Sequence, residues 1–187
     1  VMCQGSTLTP LPTLRLEEER DSLVESVLTS QSSIRLSMDI ATTERIRKAM
    51  TSMGASMVAL HYSGHGSADG LILEDANGAA HVVGGRTLGQ LLSAGGTTGR
   101  IKFCFVSACH SRPIGEAFLE AGIPSVIAVE TNMEIRDVSA RCFTSHLYLA
   151  LLHGKSIREA FEIGKTAVKS SSEVGASAEA DKFILMG

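Results

Sequence analysis

The chain has 187 residues, of which 44% are hydrophobic and 20% charged, and its formal net charge at pH 7 is −3. These proportions are typical of a globular domain, and the slightly acidic balance gives no electrostatic basis for binding nucleic acid. No apolar run reaches the roughly 18 residues of a membrane-spanning helix. The four cysteines, Cys3, Cys104, Cys109 and Cys142, lack the paired spacing of a metal site or a disulfide framework. We therefore expect a cytoplasmic protein with no metal, no cofactor and no membrane partner.

Apolar periodicity and turn signals predict strands that alternate with helices along the chain. The predicted strands are residues 1–5, 33–38, 71–75, 80–83, 124–129 and 182–186, together with two apolar runs that begin at residues 57 and 101. The predicted helices are residues 13–30, 43–53, 87–93, 112–121, 137–153 and 156–169, and residues 170–180 are predicted to be a polar loop. This alternation predicts a three-layer α/β domain, in which helices cover both faces of a mostly parallel central sheet.

Helix starts are marked by residues whose side chains can accept backbone N–H hydrogen bonds. Thr87 with Gln90, and Ser156 with Glu159, have the spacing of a capping box. Ser111 has the chemistry of an N-cap and is soon followed by a proline, which is favoured in the first turn. We therefore expect helices to begin close to each of these positions.

Two apolar runs end at reactive side chains, and they organise the rest of the chain. Residues 57–67 read MVALHYSGHGS and residues 101–111 read IKFCFVSACHS. Such runs are typical of buried parallel strands that stop at small polar residues. Ligand sites of open parallel sheets lie beyond the carboxyl ends of the strands, so neighbouring strands would bring His65 and Cys109 to one edge. This pairing predicts a thiol nucleophile with a histidine base.

The chemistry of acyl transfer explains these residue types. A thiol has a pKa of about 8.5, and its thiolate attacks a carbonyl carbon. An imidazolium at His65 and the start of the helix after Ser111 would both favour the thiolate of Cys109. Gly66 lets the backbone approach a substrate, and its N–H, together with that of Cys109, is the predicted oxyanion hole.

A short antiparallel hairpin is predicted next to this candidate site. Asn77-Gly78 separates two short apolar runs, which is a strong local hairpin signal. Because the hairpin follows the run that carries His65, we expect it to lie near the site.

The motifs Tyr62-Ser-Gly-His-Gly66 and Ser107-Ala-Cys-His-Ser111 resemble those of caspase-fold cysteine peptidases, the group of caspases, metacaspases and separases. In that group the histidine lies roughly fifty residues upstream of the cysteine, and the interval here is similar. The pattern is most similar to the CHAT domain, the caspase-like domain associated with tetratricopeptide repeats. The resemblance implies a single domain over residues 1–187. Because the chain starts at Val1 without an initiator methionine, we expect that domain to belong to a longer protein.

The same resemblance implies a cysteine endopeptidase that cleaves a protein or peptide substrate. Cys109 would be the nucleophile and His65 its base, under the control of attached or associated helical-repeat domains. Metacaspases carry an Asp two residues before the cysteine, where this chain has Ser107, so cleavage after Arg or Lys is not implied. Ser107, His110 and Glu130 are the candidate substrate-binding residues.

Other interpretations of these residues stay open at this stage. The chain could be a catalytically inactive caspase-like module that binds partners in a regulatory assembly, an alternative that Ser107 motivates. Cys109 alone could be an ordinary buried core thiol, and His65 could merely hydrogen-bond within a glycine turn. His110 beside Cys109 hints at a metal, but no paired ligand spacing accompanies it. Redox chemistry lacks a resolving cysteine nearby in the sequence.

Overall fold

The computed structural model describes residues 2–4, 13–30, 32–53, 56–94 and 100–187. Backbone contacts group the chain into two compact units. The first unit contains residues 37–134 and 184–187 together with the N-terminal strand, and the second contains residues 14–36 and 135–183.

Nine strands and seven helices occur within the described residues. The strands are β1 (Met2–Gln4), β2 (Met38–Ile40), β3 (Ala59–Ser63), β4 (Gly66–Ser67), β5 (Gly70–Glu74), β6 (Ala80–Val83), β7 (Phe103–Ser107), β8 (Val126–Val129) and β9 (Phe183–Met186). The helices are α1 (Leu16–Thr29), α2 (Thr43–Met53), α3 (Gly85–Ser93), α4 (Arg112–Glu120), α5 (Asp137–Leu152), α6 (Ile157–Lys169) and α7 (Ala176–Ala180).

The central sheet has six strands in the order β2-β1-β3-β7-β8-β9. The pairs β1–β2, β1–β3, β3–β7 and β7–β8 are all parallel. The predicted α/β class with a mostly parallel central sheet is therefore confirmed. The two strands that carry the candidate motifs, β3 and β7, are direct neighbours in the middle of this sheet.

A second sheet of three short strands, in the order β4-β5-β6, is antiparallel. Its β5–β6 turn is held by Asp75, whose side chain accepts hydrogen bonds from the N–H groups of Asn77 (2.8 Å) and Ala79 (2.9 Å). These two bonds stabilise the carboxylate and so lower the pKa of Asp75. Gly78 has a φ of 78°, a conformation that glycine adopts without steric cost. The predicted hairpin is confirmed.

The first unit has a hydrophobic core formed by β3, β7, β8 and the helices α2, α3 and α4. Cys104 lies in this core with no solvent exposure. Gly115 lets α4 approach the sheet closely, because a Cβ at this position would lie 3.2 Å from Val126 and 3.4 Å from Ala128. Burying each large apolar side chain of such a core contributes about 1.5–3 kcal/mol. The core therefore fixes the helix that follows Cys109 against the strand next to β7.

The second unit is organised around an aromatic cluster. Phe143 on α5 stacks on Phe183, with ring centroids 4.0 Å apart, and meets Phe161 edge-on at 5.8 Å. A Cβ on Gly164 would lie 2.9 Å from the ring of Phe143, so a glycine lets α6 pack tightly on α5. Buried aromatic side chains dominate the energetics of small cores such as this one.

Two predicted segments are wrong in their position or type. The strand expected at residues 33–38 is instead β2, Met38–Ile40, and Ile34 in the preceding segment is an exposed residue. The loop expected at residues 170–180 contains the short helix α7. Gly175 precedes α7 in the left-handed conformation, and Ala176 and Ala180 are buried, so packing stabilises a helix that the polar composition disfavours.

Of the two predicted capping boxes, one is present in the structure and the other is not. The box at Ser156 is confirmed, since its hydroxyl accepts from the Glu159 N–H (3.2 Å) and its own N–H donates to the Glu159 carboxylate (2.9 Å). The box at Thr87 is wrong, because α3 begins two residues earlier at Gly85, after the extended residue Gly84.

Candidate active site

The strands β3 and β7 end at the same level of the sheet. They pair in parallel register from Ala59↔Phe103 to Ser63↔Ser107, and the Gly64 N–H extends the pairing by donating to the Ser107 carbonyl at 3.2 Å. His65 and Cys109 each lie two residues beyond the last paired position of their strands. Both are therefore at the carboxyl edge of the sheet, and both are partly exposed to solvent.

The two motifs contact each other through their backbones. A Cβ placed on Gly66 would lie 2.2 Å from the carbonyl oxygen of Cys109 and 3.1 Å from the Cβ of Ala108. Real Cβ atoms do not approach other atoms this closely, so only glycine fits at this position without a backbone shift. The residue after His65 is thus packed directly against the peptide of Cys109.

The main chain of His65 is held by two hydrogen bonds. Its carbonyl oxygen accepts from the N–H of Ile72 on β5 at 3.0 Å and from the hydroxyl of Tyr62 at 3.0 Å. The same hydroxyl lies 2.9 Å from the carbonyl oxygen of Ile72. The sequence signalled Tyr62 only as part of the motif, and nothing local to it indicates these contacts, which depend on the hairpin folding back.

Ser111 fixes the loop that follows Cys109, but not in the predicted way. It occupies the N-cap position of α4, yet its side chain makes no cap hydrogen bond. Its hydroxyl instead donates to the Val106 carbonyl (2.9 Å) and accepts from the Val129 N–H (2.9 Å), and the residue has no solvent exposure. The N-cap prediction for the Ser111 side chain is therefore wrong, because bonding to β7 and β8 replaces the local bond.

His110, between Cys109 and Ser111, has the left-handed backbone conformation with a φ of 55°. This region is uncommon for residues with a Cβ. Its N–H donates to the Met133 carbonyl at 3.1 Å. The turn that carries Cys109 is consequently held on one side by Ser111 and on the other by the segment after β8.

Glu130 lies directly after β8 and is engaged by Arg112 at the start of α4. One guanidinium nitrogen of Arg112 lies 2.9 and 3.0 Å from the two carboxylate oxygens, and its Nε donates to Glu116 at 3.0 Å. Hydrogen bonding to Arg112 is the main cause that lowers the pKa of Glu130. Ser107, the other substrate-binding candidate on a strand end, is buried with 4% exposure.

His61, on β3, is a buried residue with 4% exposure. Its ring stacks on Phe105 with centroids 4.7 Å apart, and burial lowers the pKa of His61 to about 3. A buried imidazole with this pKa is neutral at physiological pH. His61 is thus distinct in environment from the partly exposed His65.

A metal-binding cluster and a membrane-spanning helix are both absent from the described ranges. No group of three or more His, Cys, Asp or Glu side chains there is arranged to hold a metal ion. No helix in the same ranges has the length and apolarity needed to cross a membrane. The three cysteines whose side chains are described, Cys104, Cys109 and Cys142, are thiols rather than disulfides.

Comparison with known families decides the relationship. The family model of the CHAT domain matches residues 3–174. The chain belongs to the CHAT family. No curated protein matches it in a search of full sequences.

The CHAT match agrees with the resemblance that the His-Gly and Ala-Cys motifs indicated. CHAT domains are caspase-like and are associated with repeats of the tetratricopeptide type. The six-stranded, mostly parallel sheet of this chain is consistent with a caspase-like sandwich. Within this CHAT domain, the strands with the two motifs are adjacent and their motifs are in contact.

Proposed function

We propose that this CHAT domain is a cysteine endopeptidase that uses Cys109 as its nucleophile and His65 as its general base and acid. The observation that carries the proposal is the close approach of Gly66 to the carbonyl group of Cys109. It occurs where the neighbouring parallel strands β3 and β7 end at the same level. This arrangement supports the proposal, because acyl transfer requires a thiol, an imidazole and backbone N–H donors close together.

The reaction would proceed in two halves. The Cys109 thiolate forms a bond to the scissile carbonyl carbon, the C–N bond breaks, and the amine leaves with a proton from the His65 imidazolium. His65 then takes a proton from water, whose oxygen bonds to the thioester carbon. The C–S bond breaks, the product acid is released and the thiol is restored. Backbone N–H groups of Gly66 and Cys109 would bind the oxyanion in both halves.

Attached or associated helical-repeat domains are the proposed regulators, because repeats of that type accompany CHAT domains. A reducing location such as the cytoplasm would suit the mechanism, since the nucleophile must stay a thiol.

A second candidate function is a catalytically inactive module that binds partners. The observation in its favour concerns the polar residues around the site. Glu130 is neutralised by Arg112 within the chain, and the buried Ser107 stands where metacaspases have an acidic residue. Neither Glu130 nor Ser107 therefore offers an unpaired acidic group to a basic substrate side chain.

The dyad is tested by the pH dependence of Cys109 alkylation by iodoacetamide, read by peptide mapping. We expect Cys109 to react at a pH well below about 8.5, the ordinary thiol pKa, and to lose this reactivity in His65→Ala. Cys142 serves as an internal reference, because burial raises the pKa of its thiol. His153→Ala, a change at an exposed histidine at the end of α5, is the matched control.

Turnover is tested separately with a proteome-derived peptide library and detection of new termini by mass spectrometry. New termini that disappear in Cys109→Ala would establish the peptidase. An ordinary thiol titration at Cys109, unchanged by His65→Ala, would contradict the dyad and favour the binding module.

A further inference from the structure

Tyr62 connects the candidate dyad to the neighbouring hairpin through a single buried hydroxyl. Tyr62 has 5% exposure, and its ring belongs to the core of the first unit. The hydroxyl lies 3.0 Å from the His65 carbonyl oxygen and 2.9 Å from the Ile72 carbonyl oxygen. Both neighbours are acceptors, so the phenol acts as the donor and its one proton is shared between them.

The hydrogen bonds of the His65 carbonyl determine where the next N–H group points. Tyr62 and the Ile72 N–H hold this carbonyl on the side of β5. In a trans peptide the C=O of one residue and the N–H of the next point in opposite directions, so the Gly66 N–H is directed away from β5.

The register of the small sheet agrees with this direction. Gly66 pairs with Leu71, and Ser67 pairs with Gly70. Because the His65 carbonyl already accepts from the next residue of β5, Gly66 and Leu71 form the non-hydrogen-bonded pair of this antiparallel ladder. In such a pair the N–H points away from the partner strand. On this open side, Gly66 packs against the peptide of Cys109.

We infer that Tyr62 is a positioning residue that orients the Gly66 N–H for an oxyanion formed at Cys109. The inference rests on the proposed function and adds to it a residue outside the His, Gly and Cys set. Its physical basis is preorganisation: a donor contributes to the transition state only if it already points at the developing charge.

The size of the effect follows from what remains when the hydroxyl is removed. Loss of an entire oxyanion donor slows the reaction about a hundredfold or more. In Tyr62→Phe the His65 carbonyl retains the Ile72 N–H bond, so the peptide plane keeps one of two restraints. We therefore expect attack on a carbonyl to slow about tenfold.

The experiment compares two reactions of the same thiol in Tyr62→Phe. Iodoacetamide alkylation displaces iodide from a saturated carbon and forms no oxyanion. Acylation by p-nitrophenyl acetate joins the sulfur to the acyl carbon through an oxyanion and then breaks the bond to p-nitrophenolate, which is measured by absorbance. Background is set by Cys109→Ala. Tyr148→Phe removes the other tyrosine hydroxyl of the chain, on α5, and is the matched control.

We expect Tyr62→Phe to acylate about tenfold more slowly, with alkylation and its pH dependence unchanged, and Tyr148→Phe to match the wild type in both. Equal slowing of both reactions in Tyr62→Phe would mean that the hydroxyl only supports the fold, and would overturn the inference. Acylation no slower than in Tyr148→Phe would also overturn it. Failure of the proposed function is separate, because it appears in the wild type as alkylation that does not depend on His65.

A second variant keeps the inference testable if Tyr62→Phe does not fold, which urea denaturation would reveal. In the Tyr148→Phe background Tyr62 is the only tyrosine, so biosynthetic incorporation of fluorotyrosine changes that residue alone. The more acidic phenol is a stronger donor, so we expect the ratio of acylation to alkylation to rise. An unchanged or lower ratio would contradict the role of the hydroxyl.

Discussion

Gly66 faces the carbonyl group of Cys109 so closely that an added Cβ would lie 2.2 Å from its oxygen and 3.3 Å from its carbon. In Gly66→Ala this carbonyl must move, because neither partner is a flexible side chain. We expect a loss of about 1–3 kcal/mol in the free energy of unfolding, and a larger loss of acylation than of alkylation at Cys109. Urea denaturation and the two thiol reactions measure these effects.

The control for this change is Gly84→Ala in the same unit. A Cβ on Gly84 would meet only the Asp69 carbonyl oxygen, at 3.4 Å, and the φ of Gly84 is −72°, which alanine adopts readily. Equal stability of the two variants would contradict the steric argument.

Ser111→Ala removes the hydroxyl that joins β7 to β8. Val106 and Val129 have no solvent exposure. In the variant, the Val106 carbonyl and the Val129 N–H would each lose the Ser111 hydroxyl as a hydrogen-bond partner. We expect a cost of about 1–3 kcal/mol in the free energy of unfolding, because a buried donor loses its hydrogen bond. Ser170→Ala is the control, since that exposed hydroxyl also donates to a carbonyl oxygen. A similarly small loss in the free energy of unfolding in both variants, measured by urea denaturation, would show that the Ser111 hydroxyl does not stabilise the fold.

Arg112 neutralises Glu130 at the carboxyl edge of the sheet, the same edge that carries Cys109. In Arg112→Gln the carboxylate of Glu130 loses its cation, so the edge of the sheet becomes more negative. We expect the ratio of the alkylation rates of Cys109 by a cationic and by a neutral haloacetamide to rise severalfold over the wild type at low ionic strength. High salt should abolish this rise. Arg158→Gln, on the exposed part of α6, is the control of equal charge change. An equal gain in both variants would exclude a local role for Glu130.

His61 makes the fold sensitive to acid. Its pKa is about 3 in the folded protein, against about 6.5 in an unfolded chain, so the unfolded state binds the proton more tightly. Its stabilising contribution is therefore complete above pH of about 6.5 and declines as the pH falls toward 3. The steepest decline from this one group is about 1.4 kcal/mol per pH unit.

We expect His61→Phe, which keeps a ring against Phe105, to unfold with a shallower pH dependence between these limits than the wild type. The measurement is urea denaturation at several pH values, with His153→Phe as the exposed control. If the free energy of unfolding depended on pH in the same way in His61→Phe and the wild type, His61 would not be the source of the acid sensitivity.

The adjacency of the His65 and Cys109 strands was predictable because both strands end in a reactive residue and parallel sheets gather such ends at one edge. Ser111 was misassigned because a serine before a proline satisfies the local rule for a cap, whereas its actual partners are set by the pairing of β7 with β8. The capping box predicted at Thr87 was wrong for a related reason. The helix starts earlier, at Gly85, which lies so close to α4 that an added Cβ would be 3.1 Å from the Cβ of Ala117, a tertiary contact that the local spacing does not reveal. The bonds of Tyr62 were likewise invisible, since they require the folded hairpin.

The last strand of the sheet has a consequence for biosynthesis. β9 lies beside β8, whose four residues, Val126–Val129, are all apolar and fully buried. Until β9 has left the ribosome, a nascent chain that has already formed β8 presents an open, hydrophobic strand edge. Such edges pair readily with other chains. Expression of the domain should therefore depend on keeping residues 183–186, and a truncation before them should accumulate as aggregates or as chaperone-bound chains.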